Sequence, residues 1–246
     1  MQILRRGAFA VGCALAKALR RMAAGTSLSV AAAIPELAAE QSCAPLAARL
    51  MGDASKGHVI VTFWSAQQLT IALLAAERFG LRPALERFEV VADDSIGGVI
   101  MQAIGRGVGV KIRPIHTRGN PERLRDVGMW LRNPAPFFIA VDGGSAYGTI
   151  PTGIIRLAAR LRSTIWPLAI RARPVVRCPG LIAEIPLPRA ALALAIAEPL
   201  VVDRQVIVAT ASRELKVRLD RATSIAGSLL SGPTQPEPAW RMEEAS

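Results

Sequence analysis

The sequence predicts a single α/β domain on a largely parallel mixed sheet flanked by helices. Short apolar runs rich in β-formers recur at residues 59–64, 88–92, 108–115 and 137–141, and each is too short for a helix. Stretches with helical apolar spacing separate them, which is the pattern of parallel strands joined by helices. The third observation is residues 136–153, Pro-Phe-Phe-Ile-Ala-Val-Asp-Gly-Gly-Ser-Ala-Tyr-Gly-Thr-Ile-Pro-Thr-Gly. It reads as strand, glycine loop and helix start. In α/β sheets ligands sit outside the carboxyl ends of strands, where such loops lie. Glycines there let the backbone bend sharply and approach a ligand. A tight turn capped by Asp142 fits the same residues.

The elements follow in order. Residues 1–24 read as an amphipathic helix, with Arg5, Arg6, Lys17, Arg20 and Arg21 among apolar positions Ile3, Phe9, Leu15 and Leu19. The apolar core is short for a signal peptide, and no small-x-small cleavage site follows it. Ala10-Val11-Gly12-Cys13 is faintly like a lipoprotein site, but the stretch before it is too short. A helix lying in a membrane interface and an ordinary helix packed on the domain both fit. Residues 25–57 show weak helical patterning between Pro35 and Leu50, then a loop at 52–57. The first strand is 59–64. A helix over 65–79 follows, with Gly80 as its C-cap. A second strand spans 88–92, and Asp93-Asp94-Ser95 caps a helix over 96–105. A third strand spans 108–115. The Gly105-Arg-Gly-Val-Gly run precedes a strand, the wrong order for a dinucleotide fingerprint. Asn120 and Pro121 open another helix to about residue 132. The 137–141 strand, a helix over 152–162, strands at 164–170 and 181–185 and an edge strand at 199–202 complete the sheet. A basic helix over 203–230 closes it, with a break near 224–227. The tail from residue 231 reads as disordered. The division is therefore 1–57, an N-terminal membrane-associating segment; 58–230, the α/β domain; and 231–246, the tail.

Composition narrows the partners. The chain is 51% hydrophobic, has a mean hydropathy of +0.33 and still carries a net charge of +11. There is no uninterrupted apolar run of the 18 or so residues that a spanning helix needs. A basic, apolar chain suits an anionic membrane surface. Aromatics make up only 4% and no nucleic-acid recognition motif is present, so no nucleic acid is expected. The cysteines, Cys13, Cys43 and Cys178, are odd in number and scattered, giving neither a disulfide framework nor a metal spacing. His58 and His116 are the only histidines, without an acidic cluster, so no metal is expected.

The order of motifs resembles the lysophospholipid acyltransferase-like family, in its bacterial branch related to glycerophosphate and lipid A acyltransferases. The resemblance spans Val59 to about Asp203. That branch carries a Phe-Trp-His-Gly-Arg block, an Asp-Gly loop and an Arg-Gly-Ser-Ser-x-Arg-Gly-Gly loop. An Asp-Gly-Pro-Arg-Gly-Pro loop, an Ile-Pro-x-Pro stretch and a Gly-Glu-Pro ending follow. The corresponding pieces are Phe63-Trp64-Ser65-Ala66-Gln67, Asp93-Asp94-Ser95-Ile96-Gly97 and residues 113–120, Arg-Pro-Ile-His-Thr-Arg-Gly-Asn. Then come residues 142–148, Asp-Gly-Gly-Ser-Ala-Tyr-Gly, Ile185-Pro186-Leu187-Pro188 and residues 197–202, Ala-Glu-Pro-Leu-Val-Val.

The resemblance implies a glycerophosphate-acyltransferase-like fold and acyl transfer from an acyl thioester to a lipid hydroxyl. Acyl-CoA or acyl-carrier protein would be the donor substrate, with no cofactor, at the cytoplasmic face of the inner membrane as a peripheral protein. It marks Ser65 and Asp142 as catalytic positions, with His116 added as the one histidine that could stand in as base, and Asp94, Arg113, Arg118, Gly119, Gly143 and Gly144 as substrate-binding ones. The departures bear on chemistry. The family's general-base histidine falls at Ser65, its carboxylate partner at Leu69 and its loop arginine at Ser145. A serine hydroxyl has no basicity near neutral pH, so it cannot replace imidazole as base, and it is a nucleophile only beside a base. His116 is the one histidine expected on the rim of Ser65 and Asp142. His58 precedes the first strand, at the opposite rim. A non-catalytic lipid- or acyl-chain-binding protein, or a partner subunit, on the same fold is the alternative.

Overall fold

A computed structural model of the chain describes residues 2–23, 25–38, 42–76, 82–115, 136–142, 148–177 and 184–231. The helix expected over 121–132, the cap at Gly80 and the tail from residue 232 lie outside them.

Four core strands form where the apolar runs predict them, β2 (Val59–Phe63), β3 (Glu89–Asp93), β4 (Lys111–Ile115) and β5 (Phe137–Ala140), and β1 (Ser27–Ala32) is an additional one. β6 (Thr164–Arg177), β7 (Glu184–Ile196) and β8 (Leu200–Val201) complete an eight-stranded sheet in the order β1-β7-β6-β2-β5-β3-β4, with β8 paired to β6. Pairing is parallel except for β6 with β7 and β6 with β8. The chain is thus a mixed α/β domain, largely parallel, with helices on both faces.

Two expectations are corrected. Residues 27–32 are a strand: Leu28 and Val30 are buried and β7 lies parallel alongside. Serine and alanine gave this stretch no β signal, and the pairing with residues 191–196 overrides their local preference. The strand expected at 164–170 runs on to Arg177, and the one expected at 181–185 is described only from Glu184, where β7 runs on to Ile196 in an antiparallel pair with β6. The alanines of β7 favour helix in isolation, but here Ala193 and Ala195 pack flat beneath a helix.

The helices are α1 (Gln2–Ala23), α2 (Ala44–Ala54), α3 (Gln68–Ala76), α4 (Arg82–Arg87), α5 (Ile96–Val108), α6 (Thr152–Leu161) and α7 (Val208–Ser231). α7 runs through residues 224–227 without the expected break. Strand alternation splits the core in two. Val59, Val61 and Phe63 face one cluster with α1, α2 and α3, whereas Ile60 and Trp64 face another with α6 and α7. α3 is buried from Leu69 to Leu74 without a polar stripe, so it lies inside the first layer.

α1 packs closely on α5. A Cβ on Gly12 would lie 2.6 Å from the Ile100 carbonyl oxygen and from Ala103 Cβ, and one on Gly107 would strike Ala16. Small residues let the two backbones approach. Arg5 meets Asp94 near the start of α5, so the two helices run parallel. Leu19 and Ala23 enter the main core, while Arg6, Lys17, Arg20 and Arg21 stay exposed. α5 ends on Gly109, whose φ of 85° is the left-handed conformation a helix C-cap requires. Among the described residues no helix is long and apolar enough to cross a membrane.

Candidate functional site

The carboxyl ends of β2, β5 and β3 make one rim. Register puts Phe63 beside Ala140, and Glu89 and Val90 beside Phe137 and Phe138. Ser65, Asp142 and Asp93 therefore leave their strands at the same edge.

Ser65 opens a 3-10 turn, Ser65–Gln67, that leads into α3. A helix start leaves backbone N–H groups without intrahelical partners. The preceding residue, Trp64, supplies no side-chain cap. Asp142 arrives from the other loop and takes that role. The Ser65 N–H donates to Asp142 Oδ1 at 2.7 Å, and the Ser65 hydroxyl donates to Oδ2 at 2.9 Å. The Asp142 carboxylate is only 1% exposed. A buried carboxylate is tolerable only when hydrogen-bonded, and a negative charge is favoured at a helix N-terminus. The pair thus ties β5 to the start of α3.

Two residues on, Gln67 is also buried, and its Oε1 accepts the Ile170 N–H at 3.2 Å. β6 pairs with β2 only as far as Pro167, so Gln67 satisfies strand backbone beyond that point. Nothing in the local sequence around Gln67 signals this long-range role, since its partner lies 103 residues away. Leu69 is buried in the main core.

The β3–α5 turn is equally self-contained. Asp93 Oδ1 accepts from the Ser95 N–H at 3.1 Å and from its hydroxyl at 2.5 Å. Ser95 Oγ accepts from the Gly98 N–H at 3.0 Å, the expected cap. Gln102 Nε2 donates to the Asp93 carbonyl at 2.8 Å. Gly98 sits directly against Asp93, where a Cβ would collide with its carbonyl and carboxylate. Asp94 receives Arg5 from α1: the guanidinium donates to its carbonyl at 3.2 Å and stands 4.0 Å from its carboxylate. Arg5 is the other participant that sequence reasoning missed, since nothing local links two residues so far apart.

Arg113 is in the middle of β4, and its guanidinium pairs with the Glu89 carboxylate of β3. His116, Arg118, Gly119, Gly143 and Gly144 lie outside the described residues, as does Ser145. His58 stands before β2, where its carbonyl accepts the Thr164 N–H at 2.9 Å. That is the opposite rim, as expected. Burial lowers its imidazole below the usual value of 6.5. Among the described residues no group of three or more His, Cys, Asp or Glu side chains is placed to hold a metal ion.

Fold and rim together define a mixed α/β protein with a polar junction at the carboxyl ends of its central strands. The crystal structure of the 1-acyl-sn-glycerophosphate (LPA) acyltransferase, PlsC, from Thermotoga maritima is similar to this chain. The TM-score is 0.45 and the sequence identity 11%, over 89% of this chain and 81% of that chain. A likeness of that degree carries no argument about activity. No family model matches the chain, and no curated protein matches it.

Proposed function

We propose that this chain is a lysophospholipid acyltransferase-like protein that works on acyl lipids at a membrane face, peripherally and on the cytoplasmic side of the inner membrane. The donor would be acyl-CoA or acyl-carrier protein and the acceptor a lipid hydroxyl. The observation that supports this reading is the meeting of Ser65 and Asp142. They open the two loops that the family resemblance assigns to the reaction, and they converge on one rim of the sheet.

The chemistry is acyl transfer. The acceptor oxygen attacks the thioester carbonyl, the C–S bond breaks, and the hydroxyl proton passes through a base to the leaving thiolate. Ser65 cannot be that base. Its hydroxyl is already a donor to Asp142. His116, which follows β4 in the sequence, is the candidate.

A second reading has its own observation. With Ser65 bound to Asp142 and Leu69 buried, the rim fits a protein that holds an acyl lipid without turning it over. Purified protein, acyl-CoA and a lysophospholipid separate the two. Thioester cleavage coupled to acylation of the lipid supports transfer. Saturable binding of the lipid without cleavage supports the non-catalytic reading. Neither binding nor cleavage overturns both.

A further inference from the structure

We propose that the membrane footprint of this protein extends beyond α1 onto the β3–α5 turn, with Ile96 inserted into an anionic lipid bilayer at the edge of the candidate site. The proposal rests on the membrane-face reading above and adds which surface meets the lipid.

The parallel packing of α1 on α5 puts the starts of both helices together. Arg5 touches Asp94, and further along Gly12 touches Ala103 and Ala16 lies against Gly107. α5 starts at Ile96, with Asp94 and Ser95 between it and Asp93, beside the rim that also carries Ser65 and Asp142. Exposed large apolar side chains gather at this end: Leu4 is 63% exposed, Phe9 41%, Val11 52% and Ile96 55%. Ile96 lies about two helical turns before Ala103 and so on the α1-facing stripe of α5. Even so it remains 55% exposed.

Charge selects the occupant. The outward face of α1 carries Arg6, Lys17, Arg20 and Arg21, all exposed. None of the four pairs with a carboxylate among the described residues, and α1 has no acidic residue. Cations interleaved with single apolar side chains suit the headgroup region of a bilayer, which accepts both at once. An acidic protein surface would match the cations but leave Phe9 and Ile96 against polar groups. Arg5 is spent differently: it clamps the turn that carries Ile96. Because α1 is packed into the core, it docks as part of the domain. A lipid bound there would then have its headgroup beside the rim.

The test places an environment-sensitive fluorophore on single cysteines in full-length protein, with Cys13 and Cys178 changed to serine. Ile96→Cys and Lys17→Cys report the footprint. Val201→Cys is the control, since Val201 is exposed beside Thr164 at the start of β6, the opposite end of the sheet. The probes are vesicles of phosphatidylcholine with phosphatidylglycerol, and vesicles of phosphatidylcholine alone. The proposal expects blue shifts at positions 96 and 17 with the anionic vesicles, little with the neutral ones and none at 201. A shift at 17 without one at 96 overturns the extended footprint and leaves membrane docking through α1 standing. No vesicle binding by any variant overturns the membrane reading itself. A response at 96 to acyl-carrier protein but not to vesicles makes the surface a protein interface and overturns the proposal.

Discussion

Ser65 and Asp142 share two hydrogen bonds across 77 residues of sequence, one from the serine backbone and one from its hydroxyl. Both oxygens of one buried carboxylate are therefore engaged by one residue at a helix start. Hydrogen bonds to charged groups contribute about 1.5–3 kcal/mol. Asp142→Ala should lower unfolding free energy in urea by about that amount. Asp142→Asn keeps an oxygen for the Ser65 N–H and should cost less. Equal stability of wild type and Asp142→Ala would show that the pair does not hold the α3 start.

Gly12 and Gly7 make a matched pair on α1. Gly12→Ala drives a methyl toward the Ile100 carbonyl, whereas a Cβ at Gly7 meets nothing within 4 Å. Overpacking costs about 1–3 kcal/mol, so Gly12→Ala should lower the thermal midpoint. Gly7→Ala should leave it unchanged or raise it, since alanine is favoured over glycine in a helix by about 1 kcal/mol. A neutral Gly12→Ala would mean that α1 is loosely held.

The chemistry is tested at two positions. General-base assistance is worth about 10²–10⁴-fold. If His116 is the base, His116→Ala should lose thioester turnover by that factor. Ser65→His places an imidazole where the acyltransferases that the sequence resembles carry one and, if the transfer reading holds, should raise a low wild-type rate. Leu69 offers the new imidazole no carboxylate, so the gain will be partial. A robust wild-type rate that survives His116→Ala would place the base elsewhere.

His58 gives a pH dependence of definite sign. Its folded pKa lies below the unfolded value of 6.5, so between the two the unfolded chain binds more protons. Stability then rises with pH through that window and falls as the pH drops below about 6.5. His58→Gln should flatten this part of the curve of unfolding free energy against pH. An unchanged curve would show that the imidazole is equally solvated in both states.

The cysteines separate by burial. Cys43 is fully buried, and desolvation pushes its thiol up to about 12, while Cys13 is exposed. Thiolate is the reactive form. In a Cys178→Ser background at pH 8, Cys13 should be alkylated rapidly and Cys43 only after unfolding, as read by mass spectrometry. Fast native labelling of Cys43 would show that the α2 region opens readily.

The α/β class and the shared rim were legible because strand-end loops follow directly from where apolar runs stop. Val59 to Phe63 and Phe137 to Ala140 are such runs, and Ser65 and Asp142 follow them. What those two residues do to each other was not legible, because a cap supplied from another loop leaves no local pattern. β1 was missed because Ser27 to Ala32 has no strong preference of its own and becomes a strand through its neighbour. β7 was cut short at Pro186 and Pro188. Prolines in a strand interior ordinarily demote it, yet the antiparallel pairing with β6 resumes beyond them at Ala191.

The parallel pairing of β1 with β7 also sets an order of events during synthesis. Residues 27–32 leave the ribosome about 160 residues before their partners, residues 191–196. At roughly 5–20 residues per second that interval is about 8–30 s. For that time β1 is an unpaired strand, and closing it needs a contact of long sequence separation, a slow kind. Residues 27–32 are therefore open to chaperones, to proteases and to misdirected pairing until β7 arrives beside them.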